Sequence, residues 1–421
     1  MPIKISNLNS DPPAPRGIAL LITLVIIALL AVYMTEFSFD THLETRGIRN
    51  FQASFKARNA VKSLFKATLV GLQGGLNGEV SEKTFLKINY DISGSYLNPI
   101  KPEPLPELVI KSELPGLSQN FPNVIFYTPY IRPIDHLFNL NRIDPKLVPE
   151  KKPYLDLYNE FSNIMGTFSK QESSDTNQIQ SSTKLSPESI QIIYASLFDW
   201  VDNSDFDFPG SNIESHIQID DTEWEVKNRL FDDLSEILLL QNKLFDEGIF
   251  DFIIPLESNN SEVKSWSSFF TVYPVGVQEG EEFGDPRINV NLADSDDIQQ
   301  FLERFSNPSV DSDKEQQYLN RAADIASVLK PDFSQETPGF KSMNDIKTRL
   351  RSDPSTLDLN DYHNNYFILW SNWYDIHLVT EIENVKAEVR AVVEVKRDEN
   401  GKVEKNDNGE YAITIHEFQL R

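Results

Sequence analysis

The chain has 421 residues, 40% hydrophobic, 11% aromatic and 24% charged, a composition that folds and leaves room for two or three domains. Asp and Glu number 64 against 39 Lys and Arg, and the net charge of −25 sets the surface against phosphate backbones, arguing for no nucleic acid partner, while suiting a hard cation such as calcium. Cysteine is absent, which excludes disulfides, thiol nucleophiles and thiolate zinc sites.

Residues 1–17 are polar and proline-rich, with Lys4 and Arg16 as cations. Ile18 to Met34 is uncharged and almost wholly apolar, and with Thr35, Glu36 and Phe37 it approaches the ~20 residues that cross a hydrocarbon core. Cations before the run and Glu36 and Asp40 after it place residues 1–17 on the cytoplasmic side. A cleaved secretory signal needs small residues near its end, where Val32, Tyr33 and Met34 stand instead. Beyond the run, Ile48, Phe51, Phe55, Val61, Leu64, Phe65, Leu69 and Leu72 keep mostly three- and four-residue steps. No proline interrupts 16–98, and Gly74-Gly75 offers a stop. One continuous helix over 18–75 follows, half membrane-spanning and half amphipathic.

Short β-type runs come next, at Phe85 to Tyr90, Leu108 to Ile110 and Val124 to Tyr127. From Leu185 to about Leu350 the period turns helical, with start signals at Ser186-Pro187-Glu188 and Ser295-Asp296-Asp297. Strand signals return at Asp375 to Val379, Lys386 to Val395 and Tyr411 to Phe418, the last two joined by a polar tip that carries Gly401 and Gly409. The stretch Gln171 to Thr183 reads as a loop, and no repeat of 20–50 residues is evident. Strands flanking a helical block predict an α+β architecture, a sheet on the long helix interrupted by a helical insertion. The aromatics Tyr362, Tyr366, Phe367, Trp370, Trp373 and Tyr374 are expected in the sheet core against that helix.

The best metal candidates are Asp199, Asp202, Asn203, Asp205, Asp207 and Glu214, oxygen donors on a loop after a helix, with Gly210 for a sharp turn; they suit calcium without forming an EF-hand. Against this stands a solvated acidic loop. A second oxygen-rich loop, Asp398, Asn400, Asn406, Asp407 and Asn408, is explained by turn chemistry without a metal. His42, His136, His216, His363, His377 and His416 are scattered with no metalloprotease spacing, and neither a G-x-S-x-G elbow nor a Walker loop occurs, so no catalytic constellation is expected. The words from Ile288 to Ala293 resemble the opening of helix-hairpin-helix DNA-binding modules, but Asp294-Ser295-Asp296-Asp297 follows in place of a glycine hairpin. Asn289 and Asn291 are therefore expected to bond to backbone in a packing role.

Arg16-Gly17 followed by Ile18-Ala19-Leu20-Leu21-Ile22 resembles a prepilin peptidase site, with processing between Gly17 and Ile18. The fifth residue after that junction is Ile22, where most pilins carry glutamate. Several interior stretches resemble, in order, the GspK family of minor pseudopilins of type II secretion systems: His136 to Asn141, Leu197 to Asp202, Asn228 to Ile237, Phe270 to Pro274 and Ile288 to Ala293. The resemblance implies a type IV pilin-like fold with a large SAM-like helical insertion. Its parts would be a leader (1–17), the long helix (18–75), a first sheet part (76–134), the insertion (135–355, divided near 280) and a last sheet part (356–421). It further implies an inner-membrane anchor, a prepilin peptidase as processing partner, other minor pseudopilins as assembly partners, and a place at the tip of a pseudopilus that exports folded proteins. Calcium binding is implied where the insertion joins the pilin part, with Asp205 substituting for an aspartate that Ser204 replaces. The alternative is a membrane-anchored, calcium-dependent periplasmic binding protein.

Overall fold

A computed structural model describes residues 16–72, 115–144, 154–170, 183–202, 216–219, 222–225, 227–240, 265–275, 285–305, 314–329, 340, 342–353, 363–398, 402–406, 409 and 411–421. The expected runs at 85–90 and 108–110 lie outside these residues.

In chain order, α1 (Arg16–Leu72) and α2 (Pro115–Asn120) precede β1 (Ile125–Pro133) and β2 (Phe138–Asn139). Helix α3 (Tyr154–Met165), the pair β3 (Ser169–Lys170) and β4 (Thr183–Lys184), and α4 (Pro187–Val201) follow. Next come the pair β5 (His216–Ile219) and β6 (Thr222–Glu225), then β7 (Phe270–Thr271) and β8 (Ile288–Asn289). Helices α5 (Ser295–Glu303), α6 (Lys314–Leu319), α7 (Ala322–Leu329), α8 (Met343–Ser352) and α9 (His363–Tyr366) lead to β9 (Phe367–Ile368). The chain closes with β10 (Trp373–Ile382), β11 (Val385–Val395) and β12 (Ile413–Leu420).

Helix α1 runs unbroken for 57 residues, about 85 Å at 1.5 Å per residue, and already includes Arg16 and Gly17. Its apolar first half is exposed, while the second half buries Ala53, Ala57, Ala60, Val61, Leu64, Phe65, Thr68 and Leu72 as one face. Alanines at the crossing let the helix backbone approach the sheet, and Thr380 Oγ1 donates to Ala57 O at 2.9 Å. Arg397 ends the helix by donating from Nη2 to Leu72 O at 2.9 Å, a cation at the negative end of the helix dipole.

The sheet is antiparallel, in the order β1-β10-β11-β12. Its strands alternate as a sheet buried on one face requires: Tyr374, Ile376 and Leu378 of β10 and Val389, Ala391, Val393 and Val395 of β11 all face α1. One expected strand, 375–379, is extended at both ends, and all three C-terminal strand signals correspond to strands. The polar tip is not a single long turn. Arg397 pairs with Val403 and Lys405 with Tyr411, so the described part of 396–412 folds back twice before β12 begins.

Between β1 and β10 the chain builds two helical modules. The first encloses Phe138, Phe161, Tyr194, Phe198, Trp266 and Phe270 with the faces of α3 and α4. The second encloses Ile298, Phe301, Leu302, Tyr318, Ile325 and Ile346 with α5 to α8. Helix α4 begins as expected, with Ser186 capping Ser189 N and Pro187 at the first turn. Helix α5 starts one residue earlier than the expected signal: Asp294, not Ser295, is the cap, locked by a reciprocal bond with Asp297.

Two expectations about 356–421 and its aromatics need correction. Residues 363–369 belong with the second module rather than the sheet, because β9 pairs in parallel with β8. The aromatic cluster is accordingly divided. Tyr366 and Phe367 lie in the second module, Trp373 packs on the far face of the sheet with Ile134 and Val392, and Tyr374 alone joins the core under α1. Trp370 packs on the second module, and Tyr362 lies outside the described residues.

Candidate functional site

The α1 face that carries no sheet is the largest unburied apolar surface among the described residues. Leu20 to Met34 supplies an exposed, uncharged and almost wholly apolar segment of the one described helix long and apolar enough to cross a membrane. Ile22 is exposed within it, and Gly17 and Ile18 lie in its first helical turns. Further along, Ile48, Phe51 and Phe55 remain 59%, 73% and 61% exposed. No acidic residue occurs over 45–72, whereas Arg46, Arg49, Lys56, Arg58, Lys62 and Lys66 do.

The acidic candidates are only partly placed. Asp199 sits in the last turn of α4 and Asp202 is its C-cap, with Asp202 N donating to Phe198 O. Asp202 is buried, and the last turn carries no basic residue. Both carboxylates therefore stand at the negative end of the α4 helix dipole. Asn203, Asp205, Asp207 and Glu214 lie outside the described residues, and no cluster of three metal-ligating side chains occurs among the described ones. In the second acidic loop Asp398 Oδ1 accepts from Lys402 N at 2.8 Å and Gly409 N donates to Asn406 O, which is turn chemistry. Asn400, Asp407 and Asn408 are outside the described residues.

Both helical modules are closed by the same asparagine device. In the first, Asn139 Oδ1 accepts from Asn141 N, and Asn141 Nδ2 donates to Val272 O and Phe231 O at 2.9 and 3.1 Å. In the second, Asn289 Oδ1 accepts from Asn291 N, and Asn291 Nδ2 donates to Leu369 O and Phe340 O at 3.1 and 3.0 Å. The strand before each asparagine pairs in parallel with the strand that ends its module, Phe138 opposite Phe270 and Ile288 opposite Phe367. Even the remote acceptors correspond, since Phe231 and Phe340 each stand two residues before a capping box, at Asp233 and at Ser342. The insertion is thus a doubled module, a repeat the sequence hides because insertions of different length separate equivalent residues. Asn289 and Asn291 bond to backbone as expected, with Asn289 Nδ2 also reaching Ser371 Oγ at 2.9 Å.

The modules meet the sheet at Asp135. Its carboxylate accepts from Asn372 N and Trp373 N at 3.1 and 3.3 Å, and its carbonyl accepts from Arg287 N between the modules. One residue therefore holds the exit from β1, the passage between modules and the entry to β10. Burial pushes its carboxyl up to about 7, against the pull of those backbone donors and Ser371. Beside it, His136 is kept neutral by burial and by the charges of Arg304 and Arg132. Arg304 Nη1 donates to His136 O at 3.2 Å, and burial lowers that guanidinium to about 10. On the sheet's far face, Tyr273 Oη donates to Glu417 at 2.6 Å, and Trp373 lies against His416, which contacts Glu394 at 3.0 Å. Tyr273 to Glu417 crosses the module–sheet seam, whereas His416 to Glu394 joins β12 to β11 within the sheet.

The described residues form a long helix with an exposed apolar half, a four-stranded antiparallel sheet and a doubled helical insertion, an α+β architecture. No protein-family model matches the chain, and no curated protein matches it. A solved structure similar to it is the GspK-GspI-GspJ complex of the type 2 secretion system of enterotoxigenic Escherichia coli, at 12% identity and a TM-score of 0.46. That similarity covers 90% of this chain and 99% of that one.

Proposed function

We propose that this chain is a minor pseudopilin of a type II protein secretion system, similar to GspK, anchored in the inner membrane with its bulk in the periplasm. One observation carries the reading. The helix that begins at the Arg16-Gly17-Ile18 junction continues without a break from an exposed apolar half into a half packed on an antiparallel sheet. That is a subunit built to be processed at its first turn, held in a bilayer and assembled through its helix. Ile22 lacks the carboxylate that would meet the N-terminal amine of a subunit above, which favours a terminal place in the pseudopilus and a part in starting its assembly and exporting folded proteins. Calcium at the end of α4 belongs to the same reading, with Asp199 and Asp202 as ligands together with Asn203, Asp205, Asp207 and Glu214. The protein would have no catalysis of its own.

The test is processing and company. Coexpressed with a prepilin peptidase, mature protein should begin at Ile18, and Gly17→Leu should keep its leader. Membrane pull-downs should bring three smaller pseudopilins. A mature N-terminus near residue 34, or a chain that comes down alone, would refute the assignment.

A further inference from the structure

The exposed seam of α1 changes character along its length. Ile48, Phe51 and Phe55 follow one another by three and four residues, and Arg58 and Lys62 continue that spacing, all exposed. Such a seam is the contact line of a packed helix pair, and charged residues at seam positions fix which partner fits and in which register. The buried face of the same helix already belongs to the sheet, through Ala57, Val61, Leu64 and Phe65.

We infer that the α1 seam from Ile48 to Lys62 docks a helix of a different protein whose own seam is apolar first and then carboxylate-bearing. This rests on the reading that the chain assembles through α1, and adds the chemistry of the helix it accepts. Charge decides between occupants. Six cations and no acid over 45–72, in a chain of net charge −25, make this an isolated basic strip. A second copy in parallel register would set Arg58 and Lys62 against themselves, and like charges so placed repel most where they are desolvated. An anionic bilayer surface is the other attractive occupant. With α1 upright, however, Lys62 stands about 37 Å beyond Phe37 at 1.5 Å per residue. The reach of surface charge is only about 8 Å at physiological ionic strength. An acidic helix rising beside α1 reaches every seam position at once.

The test uses the full chain in nanodiscs of uncharged lipid. Two synthetic helices serve as probes, sharing a leucine seam and carrying either glutamate or lysine at the two positions opposite Arg58 and Lys62. The glutamate probe should bind about tenfold tighter or better, and lose that advantage as salt is raised. Arg58→Glu with Lys62→Glu should reverse the preference, and Arg58→Gln with Lys62→Gln should abolish it. Equal binding of both probes overturns the inference. So does binding of phosphatidylglycerol vesicles that needs Arg58 and Lys62 and that the glutamate probe does not displace, and so does self-association cross-linked through position 55. Failure here with three pseudopilins still recovered from membranes removes the charge rule alone; the reverse outcome leaves the acidic partner outside a secretion assembly.

Discussion

Replacing Asn141 by alanine tests whether the asparagine device closes the first module. The side chain is 3% exposed, and its amide serves three backbone groups: Phe231 N donates to Oδ1 at 2.7 Å, and Nδ2 donates to Phe231 O and Val272 O. Truncation strands all three in an apolar interior, at about 1–1.5 kcal/mol each, so Asn141→Ala should cost about 3–4.5 kcal/mol. The equivalent Asn291→Ala removes only two bonds, to Phe340 O and Leu369 O, because Asn291 Oδ1 is buried with no protein donor. Losing that unsatisfied oxygen offsets about 1 kcal/mol, leaving a cost of about 1–2 kcal/mol. Hydrogen exchange reads each module separately, and the about 2 kcal/mol difference predicts roughly thirtyfold faster opening for the first lesion than for the second. The lesions lie in separate cores and should add in the double variant. Equal effects, or exchange that barely changes around Phe231 in Asn141→Ala, would refute the reasoning.

Three further perturbations address other parts. The Asp135 carboxyl is held near 7 in the fold against about 4 in the unfolded chain, so the folded state binds more protons between those values and stability falls as pH rises through them. Neutral His136 works the opposite way below pH 6.5, and Asp297, also raised to about 7 by burial and by Asp294, adds to the fall; Asp135→Asn should therefore flatten, not abolish, the decline of melting temperature between pH 5 and 8. Ala57→Leu forces extra volume between α1 and the sheet where the alanine is fully buried, and should cost about 1–3 kcal/mol in chemical denaturation; no change would mean that the helix does not sit that close. Chelation should lower the melting temperature, and Asp202→Ala should both mimic the drop and remove the response to added calcium; a response that survives Asp202→Ala places the cation elsewhere.

Features with a strong local cause were legible in the sequence. The apolar run and the period after it imposed α1, and the alternation from Tyr374 onward imposed the sheet. Ser186-Pro187 marked a helix start because it satisfies orphan backbone donors by itself. Harder to read were features whose cause is remote. Phe138 to Asn141 and Ile288 to Asn291 look alike only as a short word, and their equivalence depends on Phe231 and Phe340, far along the chain and unrelated to any motif. Likewise the aromatics from Tyr366 to Tyr374 look like one cluster, although the backbone turns at Ser371 and sends its neighbours to three different interiors. Of the acidic site, two carboxylates are placed at the end of α4, where a helix period ending on Asp-Trp-Val-Asp suggested them. Asp135 was not singled out, since a lone aspartate after a strand carries no signal of what it will hold.

Ile134 N donates to Trp373 O at 3.0 Å, directly beside the first sheet pair, so the whole doubled insertion hangs from two adjacent strands. The bonded pair Arg132 and Asp375 lies 243 residues apart in sequence, and Thr380 reaches Ala57 across 323. Contacts that distant form slowly, because the intervening chain must be ordered before its ends reward each other. The helical modules, with shorter internal loops, can collapse first and bring the two strands within reach. Strands β10 to β12 leave the ribosome about 300 residues after α1, so the sheet-binding face of α1 waits uncovered while the insertion is made. Order of emergence thus leaves Ala57, Val61, Leu64 and Phe65 without their sheet partners until β10 and β11 have been made, and the second half of α1 takes its packed form only after that.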